Sequence, residues 1–94
     1  MIRSFKGDFA RIILNDRRVP KGFPTDIAKI ARRKLIQLNN AGAIGDLVVP
    51  RGNHFEALKG KLAGKHSIRI NDPWRIVFRW TGMGPEEVEI TVYH

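Results

Sequence analysis

A set of side chains in the second half of the chain could move protons or hold negative charge: Glu56, Lys59, Arg69, Arg75, Arg79, Tyr93 and His94. Histidine titrates nearest neutral pH, so His94 is the best single acid or base, with Glu56 as a second proton carrier. Guanidinium forks match the oxygens of phosphate, and Lys59 adds a point charge. Tyr93 can stack on a base or donate its hydroxyl. Together these groups fit cleavage of RNA without a metal. A base takes the proton of a ribose 2′-hydroxyl, cations stabilise charge on the five-coordinate phosphorus, and an acid protonates the departing 5′-oxygen. Other chemistries lack their residues. There is no Cys, and His54, His66 and His94 do not have metal-ligand spacing on a helix, so no metal or cofactor is expected. No Gly-rich phosphate loop and no serine-triad signature occur. A terminal His is often frayed and idle, so His94 depends on the strand before it to hold it.

The arginines must be positioned by Ser67–Trp80, which reads SIRINDPWRIVFRW. Ile68 and Ile70 alternate with Arg69 and Asn71. Trp74, Ile76, Phe78 and Trp80 then alternate with Arg75, Val77 and Arg79. Period two with Ile, Val, Phe and Trp predicts strands with one buried face. Asn71-Asp72-Pro73 supplies a turn, so the two strands form a hairpin. Its polar face, with Arg69, Asn71, Arg75 and Arg79, is either a solvated sheet surface or a phosphate-binding one. Residue types alone leave both open.

Upstream, Ile2–Phe5 reads as a short strand joining the sheet, ended by Lys6-Gly7. Asp8 is expected to cap a short helix that carries Phe9, Ile12 and Ile13 and ends near Asp16. Pro20, Gly22 and Pro24 make 17–24 a loop, basic through Arg17, Arg18 and Lys21. Thr25 is expected to cap the main helix, with Asp26 in its first turn. Ile27, Ala31, Leu35 and Leu38 form its buried stripe, widened by Ala28, Ile30 and the stem of Lys34. Lys29, Arg32 and Arg33 lie outside the stripe. Such a face is ordinarily solvated, but it could line an RNA groove or take an acidic partner.

Gly42 is expected to stop the helix. In the connector 43–53, Leu47, Val48 and Val49 are expected against the core. Phe55–Leu58 reads as a short strand, followed by a basic turn with Lys59, Lys61 and Lys65. Glu86–Tyr93 is the last strand, with Val88, Ile90 and Val92 on one face. The order predicts an α+β fold: a small twisted antiparallel sheet with two N-terminal helices packed on one side.

A chain of 94 residues allows one domain, 1–94. Its 17 Lys plus Arg against 9 Asp plus Glu give a net charge of +8. That surplus points to a polyanion, nucleic acid before an anionic membrane surface, or to an acidic protein. The missing Cys fits a reducing cytoplasm. The N-terminus has no signal-peptide core, and no apolar run approaches the roughly 18 residues of a membrane span.

The same residues carry a family resemblance. Phe55-Glu56-Ala57-Leu58-Lys59-Gly60, then Ser67-Ile68-Arg69-Ile70-Asn71-Asp72 with Trp74-Arg75, then Tyr93-His94, resemble the HigB toxins of the RelE/ParE-like superfamily. Leading Ile2-Arg3-Ser4-Phe5 and the length also fit, so the resemblance spans essentially the whole chain. It implies a RelE-like fold and a ribosome-dependent mRNA endonuclease that cuts codons in the A site without a metal. Lys59, Arg75, Tyr93 and His94 match the family's catalytic positions. Arg69 and Asn71 match residues of the same sheet face.

Implied partners are mRNA on the ribosome, with the 16S rRNA around the A site, and a HigA-type helix-turn-helix antitoxin. Operator DNA is met through the antitoxin complex, and no membrane is involved. Contacts to RNA or ribosome are expected from Arg32, Arg33, Lys59, Lys61, Lys65, Arg69 and Arg75. The family commonly ends Asp-Tyr-His, and here Val92 replaces the Asp, which leaves three readings: a weakened site, a site reliant on other groups, or a deliberate detoxifying change. Two further readings share this fold: a non-catalytic RNA- or ribosome-binding module, and a gyrase-poisoning toxin, which needs no terminal His.

Overall fold

The alternating stretch folds into β2 (His66–Arg69) and β3 (Trp74–Thr81), an antiparallel pair with Ser67 opposite Val77, Ile68 opposite Ile76 and Arg69 opposite Arg75. The computed structural model describes residues 1–92. The hairpin turn is tied by Asn71, whose side-chain oxygen accepts from the Trp74 backbone N–H at 3.1 Å. Arg69 donates across it to Asp72 at 3.1 Å. A second tight turn at Gly82-Met83 leads into β4 (Gly84–Val92), and β1 (Glu56–Ala57) lies on the far edge of β2. The antiparallel sheet therefore runs β1-β2-β3-β4.

One sheet face presents Ile68, Ile70, Ile76, Phe78, Val88 and Ile90, and the helices cover it. The long helix α2 (Thr25–Asn40) buries Ile27, Ala31, Leu35 and Leu38, the stripe its spacing dictates. Ahead of it, α1 (Phe9–Arg11) runs into a π-helical stretch, Ile12–Asp16, that ends at left-handed Arg17 (φ 55°). Ala10 and Ile13 enter the same core. Phe23 packs edge-on against Phe9 and Trp74, with ring centroids 5.4 and 5.0 Å apart. Trp74 and Trp80 are partly buried at the margin of this core. The α+β class, the sheet and the one-sided helical layer are as the sequence predicts.

Several local expectations change. Asp8 does not cap with its side chain; its carboxylate takes Arg11 at 3.2 Å instead. The N-cap of α2 is Pro24, and Thr25 is the first helical residue. The helix ends because Ala41 turns extended (ψ 127°), before Gly42 is reached. Asp46 then holds the Gly42 and Ala43 backbone N–H groups at 2.9 and 3.1 Å. In the connector Leu47 is fully buried, but Val48 and Val49 face solvent. There the chain is anchored by buried Asn53, which binds the Leu47 carbonyl and Gln37 and accepts from Lys34. Ile2–Phe5 joins the sheet through a single parallel bridge, Phe5 to Val88, beside β4.

Candidate functional site

Alternation and register place Glu56, Ser67, Arg69, Arg75, Val77, Arg79, Glu89 and Thr91 on the face turned away from the helices. It is not an open row of arginines. The Arg75 side chain is 11% exposed. Its Nη2 donates to the His54 carbonyl at 2.7 Å and to Ser67 Oγ at 2.9 Å, and lies 3.6 Å from Glu56 Oε1. Ser67 is fully buried and Val77 is 1% exposed, so they form a floor rather than a wet surface. His54 is left-handed (φ 43°) where the Arg51–Asn53 turn ends, and its carbonyl faces the guanidinium. A guanidinium this enclosed is held by its partners, because an uncompensated buried charge is strongly destabilising.

Arg69, directly across from Arg75, is paired with Asp72. The Arg69 hydrogen bond and charge hold the Asp72 carboxyl below its ordinary range, with smaller contributions from His54 and Arg75. On α2, burial first and the charges of Arg33 and Arg69 second lower the pKa of Lys34. Arg79 belongs to a separate cluster. The Glu87 carboxylate forms ion pairs with both Arg79, at 3.6 Å, and Lys65, at 3.5 Å. Glu87 sits at φ 52°, beside a register shift between Val77 and Arg79. That is the local disruption expected of a β-bulge, which redirects side chains. Four residues along a strand separate Arg75 from Arg79 by roughly 13 Å.

The structure thus unites Arg75 and Glu56 with Arg69 alongside, and sets Lys65 and Arg79 apart with Glu87. Lys59 and Lys61 are exposed at the turn Gly60–Leu62 that follows β1. Asn71 serves the hairpin turn. Arg32 and Arg33 lie on α2, outside the sheet face. Val92 is opposite Trp74 and shares the face of Val88 and Ile90. Tyr93 and His94 lie outside the described residues. Sequence reasoning missed Ser67, the His54 carbonyl and Glu87. Ser67 was within reach, since it stands two residues before Arg69 on one strand and so shares its face. The His54 contact spans 21 residues and left no local signal.

Chemically, the cluster offers a fixed guanidinium for a phosphate-like charge and, beside it, a half-exposed carboxylate able to take a proton. Among the described residues no group of three or more His, Asp or Glu could hold a metal ion. No helix among them is long and apolar enough to cross a membrane.

Residues 3–93 match the family model for the RelE-like toxin of type II toxin–antitoxin system HigB. The chain is 38% identical over 80 residues to Toxin HigB-1 of Vibrio cholerae serotype O1, covering 85% of this chain and 84% of that protein. It is 33% identical over 57 residues to an uncharacterised Haemophilus influenzae protein, covering 61% of this chain and 56% of that one. With the one-sided α+β fold and the Arg75–Glu56 cluster, this match over nearly the full length places the chain among the HigB toxins, RelE-like toxins of type II toxin–antitoxin systems.

Proposed function

We propose that this toxin is a ribosome-dependent endonuclease that cuts mRNA in the A site and so arrests translation. The observation that supports it best is Arg75, fixed by His54 and Ser67 beside the Glu56 carboxylate on the sheet face away from the helices. In this reading Arg75 and Lys59 stabilise the charge on the five-coordinate phosphorus. His94 transfers protons, with Glu56 as its partner across the scissile bond, and Tyr93 stacks on or hydrogen-bonds the flanking nucleotide. Arg69 and the exposed Lys61 guide the RNA backbone. Arg32 and Arg33, on the helical layer, meet ribosomal RNA or protein instead of the cut strand.

Primer extension on an mRNA translated by purified ribosomes tests this, comparing the natural chain with His94→Ala. Codon-phased cuts that vanish in the variant are expected. Translation arrest with uncut mRNA would overturn the endonuclease and favour a ribosome-binding module.

A further inference from the structure

Asn53 is a buried polar side chain outside the sheet face. From residue 48 to 54 the connector is exposed except at Asn53, which is fully buried. A buried amide is costly unless its donors and acceptor find partners. Here Nδ2 donates to the Leu47 carbonyl at 3.0 Å and to Gln37 Oε1 at 3.1 Å, and Oδ1 accepts from the Lys34 ammonium. Gln37 Nε2 in turn donates to the Val49 carbonyl at 2.8 Å. Lys34 and Gln37 are neighbours one turn apart on α2, so the helix grips the connector with both. The grip lies close to the site: burial, then the charges of Arg33 and Arg69, lower the pKa of Lys34.

What the grip delivers is the next residue. The turn Arg51–Asn53 ends at left-handed His54 (φ 43°), whose carbonyl accepts from Arg75 Nη2 at 2.7 Å. The Ser67 and Glu56 partners of that Nη2 sit on paired strands, which fix them. The His54 carbonyl lies outside any strand and is placed by the turn. An apolar residue at position 53 would anchor the loop by burial, but burial is non-directional and would leave the next carbonyl free to swing. Hydrogen bonds to three fixed partners set a direction.

We infer that Asn53 is a positioning residue for the proposed cleavage: by locking the turn 51–54 onto α2, it sets the His54 carbonyl that orients Arg75. The inference rests on the endonuclease reading.

The test compares the full natural chain with Asn53→Asp. That change keeps the shape and the Lys34 contact but turns the donating Nδ2 into an acceptor facing two acceptors. On programmed ribosomes, well below the melting temperature of either protein, kcat is expected to fall about tenfold with KM within about twofold, because Arg75 acts on the transition state. The same change made in Arg75→Lys should cost less than about twofold, since without the fork there is no orientation left to lose. An equal loss in both backgrounds overturns the inference, as does an unchanged kcat.

NMR relaxation of the Arg75 Nε–H group reads the positioning without any cutting. Its order is expected to drop in Asn53→Asp while the Ile76 backbone stays rigid. Order equal to that of the natural chain overturns the inference. If Asn53→Asp does not fold, Gln37→Met, at a half-buried position of α2, is judged by the same readouts. If the natural chain cuts nothing, the endonuclease reading fails, and the relaxation data still judge the hold of Asn53 on Arg75.

Discussion

Arg75 shows why a cation's surroundings matter more than its charge. One Nη2 group serves a backbone carbonyl, a buried hydroxyl and a carboxylate. A lysine at the same position carries the charge but lacks the planar fork, so it cannot hold one orientation against all of them. Arg75→Lys is therefore expected to lower ribosome-dependent cleavage by about 100-fold, the scale of losing one positioned donor to a developing oxyanion. Its melting temperature should fall as well, because His54 and Ser67 lose a partner. Cleavage within a few-fold of the natural rate would show that charge alone suffices there. Val92 makes the opposite point. Its register puts it beside Trp74 on the apolar face, so valine suits the position whatever the family's usual residue does.

At the scale of elements, the hairpin turn joins sequence to site. Arg69 is the cross-strand neighbour of Arg75, and Asp72 ties it down. Because the folded state holds the Asp72 carboxyl below its ordinary value of 3.8, the unfolded chain binds that proton more tightly. The stabilisation is present above the ordinary value and is lost as pH falls through the lowered one. Melting curves of the natural chain and Asp72→Asn should differ near pH 6 and converge well below about pH 3. A constant gap across that range would mean that the ion pair plays no part.

The turn, the hairpin and the α2 stripe were legible in the sequence because each rests on local periodicity or turn chemistry. The caps were not, since Asp8 has an arginine three residues on that competes for it. Nor was the loss of the arginine row, because Glu56 and Glu87 meet Arg75 and Arg79 through strand pairing and a bulge.

For the whole molecule, the net charge of +8 conceals a partition. The sheet face neutralises most of its own cations, while on the outer side of α2 Lys29, Arg32 and Arg33 make no ion pair among the described residues. A surface that must bind a polyanion gains affinity from each cation it frees, and that gain weakens with salt through counterion release. Glu87 is the residue that withholds two of them. Arg79 is 40% exposed and would reach solvent if Glu87 were neutral, whereas Lys65 is 8% exposed and would be left as a buried charge without its partner. Glu87→Gln is therefore expected to do two things at once. Melting temperature should fall. Ribosome association should tighten several-fold at low salt, with a salt dependence steeper by about one charge. Tighter binding would show that the bulge restrains an RNA-facing arginine. Unchanged binding with lower stability would show that the Lys65–Glu87–Arg79 cluster is a clamp on the bulge and that RNA meets the sheet only at the Arg75 end.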